Sequence, residues 1–181
     1  MLEAQRTDSI KCPFSRVSKR SMTKVMTALL TLEAIEDGTT TEDTMVTISE
    51  NAAAKEYADE STANLKGGEQ MSVHDLLYCL MLPSANDAAK ALAEHLGGSV
   101  DNFATMMNER AKALGCTNTH FVNCTGLDDG ADAASHKTSA HDIALMSREL
   151  MTKHPDIQKF TTIWMDTIRN GGFGLSNTNK L

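Results

Sequence analysis

The feature that most constrains this chain is a helix that is apolar on almost every face. Residues 72–75 (SVHD) resemble a capping box with Asp in place of the usual Glu. The helix they open is predicted to run through Met81 and to end before Pro83, because proline cannot continue a helix. A helix without a polar face has no side to turn toward water, so we expect it to be buried. Cys79 within it is expected to be a buried small hydrophobic residue.

The rest of the chain is predicted to be mainly helical. Apolar residues at helical spacing, with capping and stop residues at the ends, indicate five more helices, over about residues 21–37, 49–57, 86–96, 99–114 and 138–151. A short strand is predicted at 44–48, with 62–66 as its partner and a turn at Gly67-Gly68. The tail from residue 170 is rich in turn residues and has no predicted terminal element, which leaves at most two short strands.

Composition excludes several classes of function. The 181 residues correspond to about one domain. With 17 basic and 24 acidic residues the net charge is −7, and aromatic residues make up only 4%. A chain of this kind is poorly suited to bind phosphate backbones, anionic lipid or stacked bases, so no nucleic-acid partner is expected.

Residues 1–20 show no helical or strand period, and we interpret them as a poorly ordered or non-native leader. They contain no apolar segment typical of a signal peptide, and no run of 18 apolar residues exists to span a membrane. A signal removed earlier would leave the same sequence.

Three residues have the spacing of a loose metal half-site: Cys116, His120 and Cys124. No second pair of ligands completes the site, so no metal is predicted.

A hydroxyl and an amine lie three residues apart at the start of the first helix. Ser21 needs a nearby base to act as a nucleophile, and Lys24 would share its helix face one turn along. The free N–H groups of the first turn would favour a developing oxyanion. Alone, the spacing is common by chance and favours a serine N-cap followed by a surface lysine.

A second pair of polar residues follows the apolar helix. Ser84 and Asn86 lie two residues apart after Pro83, so in an extended segment both would face a common cleft. The hydroxyl would relay a proton and the amide would hold a substrate carbonyl. The alternative is that one of the two caps the next helix.

Together these features resemble a known family. S-x-T-K at the start of an apolar helix, with S-x-N about sixty residues later, is similar to the serine penicillin-recognising enzymes. The closer resemblance is to the D-alanyl-D-alanine carboxypeptidases, the low-molecular-mass penicillin-binding proteins. The resemblance covers residues 21–181, and its matching stretches are 21–30, 65–69, 76–89, 121–129 (FVNCTGLDD) and 138–142 (TSAHD).

The resemblance implies a role for each of the four residues. Ser21 would be the acylated nucleophile, Lys24 its general base and Ser84 a proton shuttle, while Asn86 would bind substrate. The implied substrate is a peptidoglycan stem peptide ending in D-Ala-D-Ala, cleaved through a serine acyl-enzyme that β-lactams trap as covalent inhibitors. No metal or organic cofactor is implied.

The resemblance also implies a fold and a location. The fold is the α/β (α+β) fold of serine β-lactamases and penicillin-binding proteins, of which this chain would hold the helical part and lack most of the antiparallel sheet. The location is extracytoplasmic, in the cell envelope or secreted, with membrane association only through segments that this sequence does not include.

Three departures from the family pattern lead us to expect a chain truncated at both ends. The sequence ends at Leu181 without the family's K-T/S-G element, and Lys137-Thr138-Ser139 is rejected as its substitute because it is predicted at a helix start and has no glycine. No hairpin is predicted before Ser21, and Lys19-Arg20 replaces the usual Pro-Ala. We therefore expect residues 21–181 to be a partial peptidase (transpeptidase-like) domain without its C-terminal strands. Losing one oxyanion donor costs about 10²- to 10³-fold in rate, so we expect weak activity or none.

Two other functions are considered. A class A-like β-lactamase shares S-x-x-K, but this chain has Ala85 where S-D-N has Asp. The loop at 121–132 also offers only Asp128, Asp129 and Asp132, and no Glu. A non-enzymatic helical binding module would keep the helices and tolerate loss of Ser21.

Overall fold

The first three helices include the one that opens the chain's described part and the predicted apolar helix. The computed structural model describes residues 19–127, 135–169 and 171–178. Helix α1 (Lys19–Glu36) begins two residues before the predicted start, and the next is α2 (Glu50–Ala53). The predicted apolar helix is α3 (Val73–Met81), and it is buried as expected, including Cys79.

Five further helical elements complete the described part of the fold. They are α4 (Asn86–Gly97), α5 (Val100–Ala113), α6 (Ala140–Lys153), a 3₁₀ turn (Pro155–Ile157) and α7 (Gln158–Thr161). Helix α1 packs against α3, α4, α5 and α6, so the core lies on all sides of it. The mainly helical prediction is confirmed. No helix in the described part of the chain is both long and apolar enough to cross a bilayer.

Serine side chains begin four of the helices, as predicted. Ser49, Ser72, Ser99 and Ser139 each accept a hydrogen bond from the backbone N–H three residues later, at 2.9–3.1 Å. Each such bond satisfies a donor that has no acceptor within the helix. Capping by Ser139 also shows that residues 137–139 stand directly before a helix, with Lys137 paired to His120 in an antiparallel bridge.

The first strand was predicted correctly and its partner wrongly. Strand β1 (Met45–Thr47) pairs antiparallel with β2 (Gln70–Ser72), with Val46 opposite Met71. The predicted partner at 62–66 lies beside α4 instead. The N–H groups of Ala63 and Leu65 donate to the carboxylate of Asp87, both at 3.0 Å, so they are not available to a sheet.

A second hairpin lies in the tail where no terminal element was predicted. Strands β3 (Met165–Ile168) and β4 (Phe173–Ser176) pair antiparallel, with Asp166 opposite Leu175. Arg169 at its turn pairs with Glu69 and donates to the carbonyls of Ala63 and Asn64. The hairpin is therefore stabilised by distant residues, and the limit of two strands was wrong.

The division at residue 20 stays a prediction, because residues 1–18 lie outside the described part. The three acidic residues noted in the 121–132 loop also lie outside the described part. They are Asp128, Asp129 and Asp132.

We expect the carboxylate of Asp87 to be essential for holding the 63–65 segment against α4. It is 2% exposed and accepts the N–H groups of Ala63, Leu65 and Ala88. Asp87→Asn replaces one acceptor oxygen by a donor, and it should lower the free energy of unfolding by about 2 kcal/mol in urea titrations. The control Asp59→Asn, at an exposed carboxylate, should change it by less than about 0.5 kcal/mol. Equal effects of the two substitutions would contradict this role.

Candidate active site

The N-terminal part of α1 carries two of the predicted site residues. Ser21 is exposed, whereas Lys24, one turn further along, is only 3% exposed. Ser21 lies near the N-terminal end of α1 as described, three residues before Lys24. The helix thus presents a hydroxyl at the surface above a buried amine.

The loop between α3 and α4 brings the third residue to this turn. Ser84 Oγ donates a hydrogen bond to Ser21 Oγ at 3.2 Å, across 63 residues of sequence. Ser84 has a φ of +59°, a strained value for a residue with a side chain. The strain is held by the neighbouring backbone, since Ala85 N–H donates to the Cys79 carbonyl at 2.9 Å.

A loop from the FVNCTGLDD stretch holds Lys24 from the other side. Lys24 Nζ donates to the Thr125 carbonyl at 3.3 Å, and Thr27 Oγ1 donates to the Cys124 carbonyl at 3.2 Å. Asn123 organises the loop, because its Oδ1 accepts the N–H groups of Thr125 and Gly126 while its Nδ2 donates to the Leu127 carbonyl. The motif was recognised in the sequence, but this role of its asparagine was not.

His136 is a further residue that sequence reasoning missed. Its Nδ1 accepts the Val122 N–H at 3.2 Å, so in this geometry Nε2 carries the hydrogen and faces Thr23 Oγ1 at 2.9 Å. The contact ties the loop to the same turn of α1. A single histidine next to residues of no recognised pattern offers no signal in the sequence.

The two serines and Lys24 line an open cleft of about 230 Å³. The segment that follows β4 also lines it, through Asn177 and Thr178. Asn177 Nδ2 donates to the carbonyls of Thr161 and Ile163, and Thr178 N–H donates to the Leu82 carbonyl at 3.1 Å. The lining residues are Ser21, Lys24, Val25, Leu80, Met81, Ser84, Thr161, Asn177 and Thr178.

Asn86 is arranged differently from the other three. It is 3% exposed and is not among the residues that line this cleft in the described structure. Ser84 and Asn86 were expected to face a common cleft because an extended segment points both side chains the same way. The backbone at Ser84 is left-handed and not extended, so this argument does not apply. The capping alternative is also wrong, because Ala85 is the N-cap residue and no side chain in the described structure caps α4.

The described cysteines are unsuited to nucleophilic chemistry. Burial raises the pKa of the Cys79 thiol and raises the pKa of Cys124 to about 12. The structure does not gather Cys116, His120 and Cys124 into a ligand set. Among the described residues the one group of three close metal-type donors is Glu33, Glu149 and His154. Arg110 already binds both carboxylates there, at 2.6 and 3.0 Å.

The fold defines a class of protein, since it resembles the fold of solved low-molecular-mass penicillin-binding proteins. Penicillin binding protein 5 from Haemophilus influenzae superposes with a TM-score of 0.79 at 33% identity, over 87% of this chain and 44% of that one. Penicillin-Binding Protein D2 from Listeria monocytogenes, solved in a cefotaxime-bound form, superposes with a TM-score of 0.76 at 31% identity, over 89% of this chain and 62% of that one.

The family follows from the sequence comparison. Residues 11–181 match the sequence model of the peptidase S11 family, D-alanyl-D-alanine carboxypeptidase, and the chain belongs to this family. D-alanyl-D-alanine carboxypeptidase DacF of Bacillus subtilis is 40% identical over 169 residues, which cover 92% of this chain. The chain spans 41% of the length of that relative. The resemblance stated from the motifs is therefore confirmed.

We expect the backbone strain at Ser84 to be measurable. Ser84→Gly relieves the strain of the positive φ, whereas Ser84→Ala keeps it. The free energy of unfolding of the glycine variant should therefore be about 1 kcal/mol higher than that of the alanine variant in denaturant titrations. At Ser147, within α6, the alanine variant should be more stable than the glycine variant, because alanine is the better helix former. A Ser84→Ala variant as stable as Ser84→Gly would show that the left-handed backbone is absent in solution.

Proposed function

We propose that this chain carries the acylation centre of a serine-type D-alanyl-D-alanine carboxypeptidase. The observation that carries the proposal is the 3.2 Å contact between the hydroxyls of Ser84 and Ser21, with Lys24 buried one helical turn away. A nucleophile, a candidate base and a second hydroxyl thus meet in one cleft. Family membership supports the same reaction.

In the proposed reaction Ser21 Oγ attacks the carbonyl carbon of the scissile D-Ala–D-Ala bond. Its proton passes to Lys24 Nζ, and the new C–O bond replaces the C–N bond. Ser84 donates its hydroxyl proton to the leaving nitrogen and is reprotonated by Lys24 Nζ, so the proton taken from Ser21 ends on the amine of the departing D-Ala. Water then cleaves the ester and restores the Ser21 hydroxyl.

The substrate proposed is a peptidoglycan stem peptide, met outside the cytoplasmic membrane. β-Lactams are proposed as covalent inhibitors that acylate Ser21, and the cefotaxime-bound relative from Listeria supports this class of ligand. Asn86 is proposed to contact substrate from the start of α4. Nothing in the proposed steps calls for a metal or organic cofactor.

The acylation centre can be tested by mass spectrometry of the intact chain. After incubation with benzylpenicillin the parent should gain the mass of one inhibitor, because the acyl-enzyme is trapped even when it forms slowly. Ser21→Ala should gain none, whereas the control Ser147→Ala, outside the cleft, should behave as the parent does.

Two results would contradict the proposal. One is a folded parent chain that gains no mass, and the other is a Ser21→Ala variant that gains as much as the parent. An adduct lost within seconds, with turnover of penicillin, would favour the β-lactamase alternative. Ligand binding unchanged by Ser21→Ala would favour a non-enzymatic module.

A further inference from the structure

A row of three threonines lies on one buried side of α1, and one of them contacts the loop that holds Lys24. Thr23, Thr27 and Thr31 follow one another at four-residue spacing and are 2%, 0% and 0% exposed. Burying a hydroxyl is costly unless it is hydrogen-bonded. Thr27 Oγ1 donates to the Cys124 carbonyl at 3.2 Å, whereas Thr31 Oγ1 donates to the Thr27 carbonyl of its own helix at 2.8 Å. The Thr27 hydroxyl thus joins α1 to the loop, and the Thr31 hydroxyl stays within α1.

The loop carries an acceptor for Lys24 at the residue next to Cys124. Lys24 Nζ donates to the Thr125 carbonyl at 3.3 Å. Lys24 and Thr27 are three residues apart on α1, and their side chains bind two successive carbonyl groups of the loop. Because the peptide units are planar and share a Cα atom, a shift of the first carbonyl also moves the second. The Thr27 hydroxyl therefore controls where the acceptor of Lys24 lies.

Bonds inside the loop fix its shape but not its distance from α1. Asn123 Oδ1 accepts two N–H groups of the loop itself, which closes the turn. Asn108 holds the start of the loop on α5, because it binds the N–H and the carbonyl of Phe121 at 2.8 and 2.7 Å. The contact of His136 described above ties the loop to α1 ahead of this turn. Thr27 ties the turn itself to α1, beside the lysine.

We propose that Thr27 is a positioning residue that sets the place of Lys24 Nζ in the cleft. Its hydroxyl holds the Cys124 carbonyl on α1, so that the next carbonyl of the loop accepts the lysine amine at a fixed point. A lysine amine sits on a flexible four-carbon stem, and a fixed acceptor limits where its nitrogen can lie. This inference rests on the proposed function, since it gives the candidate base a fixed place before substrate binds.

The experiment makes the same substitution at two successive positions of the threonine row. Thr27→Val keeps the shape of the side chain but removes its donor, so the Cys124 carbonyl loses this hydrogen bond. Thr31→Val is the matched control, because it removes an equally buried hydroxyl that binds within α1. Thr27→Ser is the conservative variant, because it retains the hydroxyl.

The rate at which benzylpenicillin acylates Ser21 is measured at a series of inhibitor concentrations. In Thr27→Val the limiting rate should fall about tenfold or more, since a small misplacement of a reacting group has effects of this size. The half-saturating concentration should not change, because Thr27 is not among the residues that line the cleft in the described structure. Thr31→Val and Thr27→Ser should both behave as the parent does.

Three results would overturn the proposal. One is an equal loss of limiting rate in Thr27→Val and Thr31→Val, which would show a general effect on the helix. The others are a Thr27→Val chain that is acylated at the parental limiting rate and a Thr27→Ser chain that is as slow as Thr27→Val. If Thr27→Val does not fold, Thr27→Ala takes its place beside Thr27→Ser, since only the serine keeps the hydroxyl. Equal limiting rates in that pair would then overturn the proposal.

A chemical readout keeps this inference distinct from the proposed function. Lys24 is 3% exposed, so a limiting amount of acetic anhydride should label its amine slowly in the parent chain. A loosened acceptor should speed this labelling in Thr27→Val but not in Thr31→Val, as measured by mass spectrometry of the peptide that contains Lys24. Unchanged labelling would overturn the positioning role even if Ser21 is acylated. Faster labelling in a chain that benzylpenicillin does not acylate would support the role of Thr27 and contradict the acylation proposal.

Discussion

The structure depends on how the buried helix α3 is seated against α1. Since the apolar side chains of α3 from Leu76 to Leu80 are mostly buried, its packing leaves little freedom to the loop that follows Met81, and this loop passes over the N-terminal end of α1. The Ser84–Ser21 contact is the result. The positive φ at Ser84 persists because hydrogen bonds at Cys79 and Leu82 hold the loop from two sides.

Polar groups buried beside this loop are satisfied by backbone rather than by opposite charge. Asp87 binds N–H groups of the 63–65 segment, and Lys24 Nζ binds the Thr125 carbonyl. Such bonds orient side chains strongly, because a misplaced buried group loses its partner and regains no water. Glu60 and Asn86 depart from this rule, because their side chains are joined by a hydrogen bond of 3.4 Å and Asn86 Oδ1 has no partner among the described residues.

Membership of the D-alanyl-D-alanine carboxypeptidase family accounts for the order of the elements around the cleft. The chain spans less than half the length of its relative from Bacillus subtilis, so the activity of the whole protein is a proposal that acylation of Ser21 tests. The cleft is lined by residues from α1, from the end of α3 and the loop after it, from the end of α7 and from the segment that follows β4.

Local signals in the sequence determined the helices. Apolar spacing, the serine caps at residues 49, 72, 99 and 139, and the stop at Pro83 act within one or two turns, so they were readable without a fold. Motif spacing likewise identified Ser21, Lys24 and Ser84 as candidates. Only the tertiary structure decided the partner of β1, the hairpin after residue 164 and the orientation of Asn86. Each of these depends on hydrogen bonds to residues far away in the chain, and such bonds form only once the helices have packed.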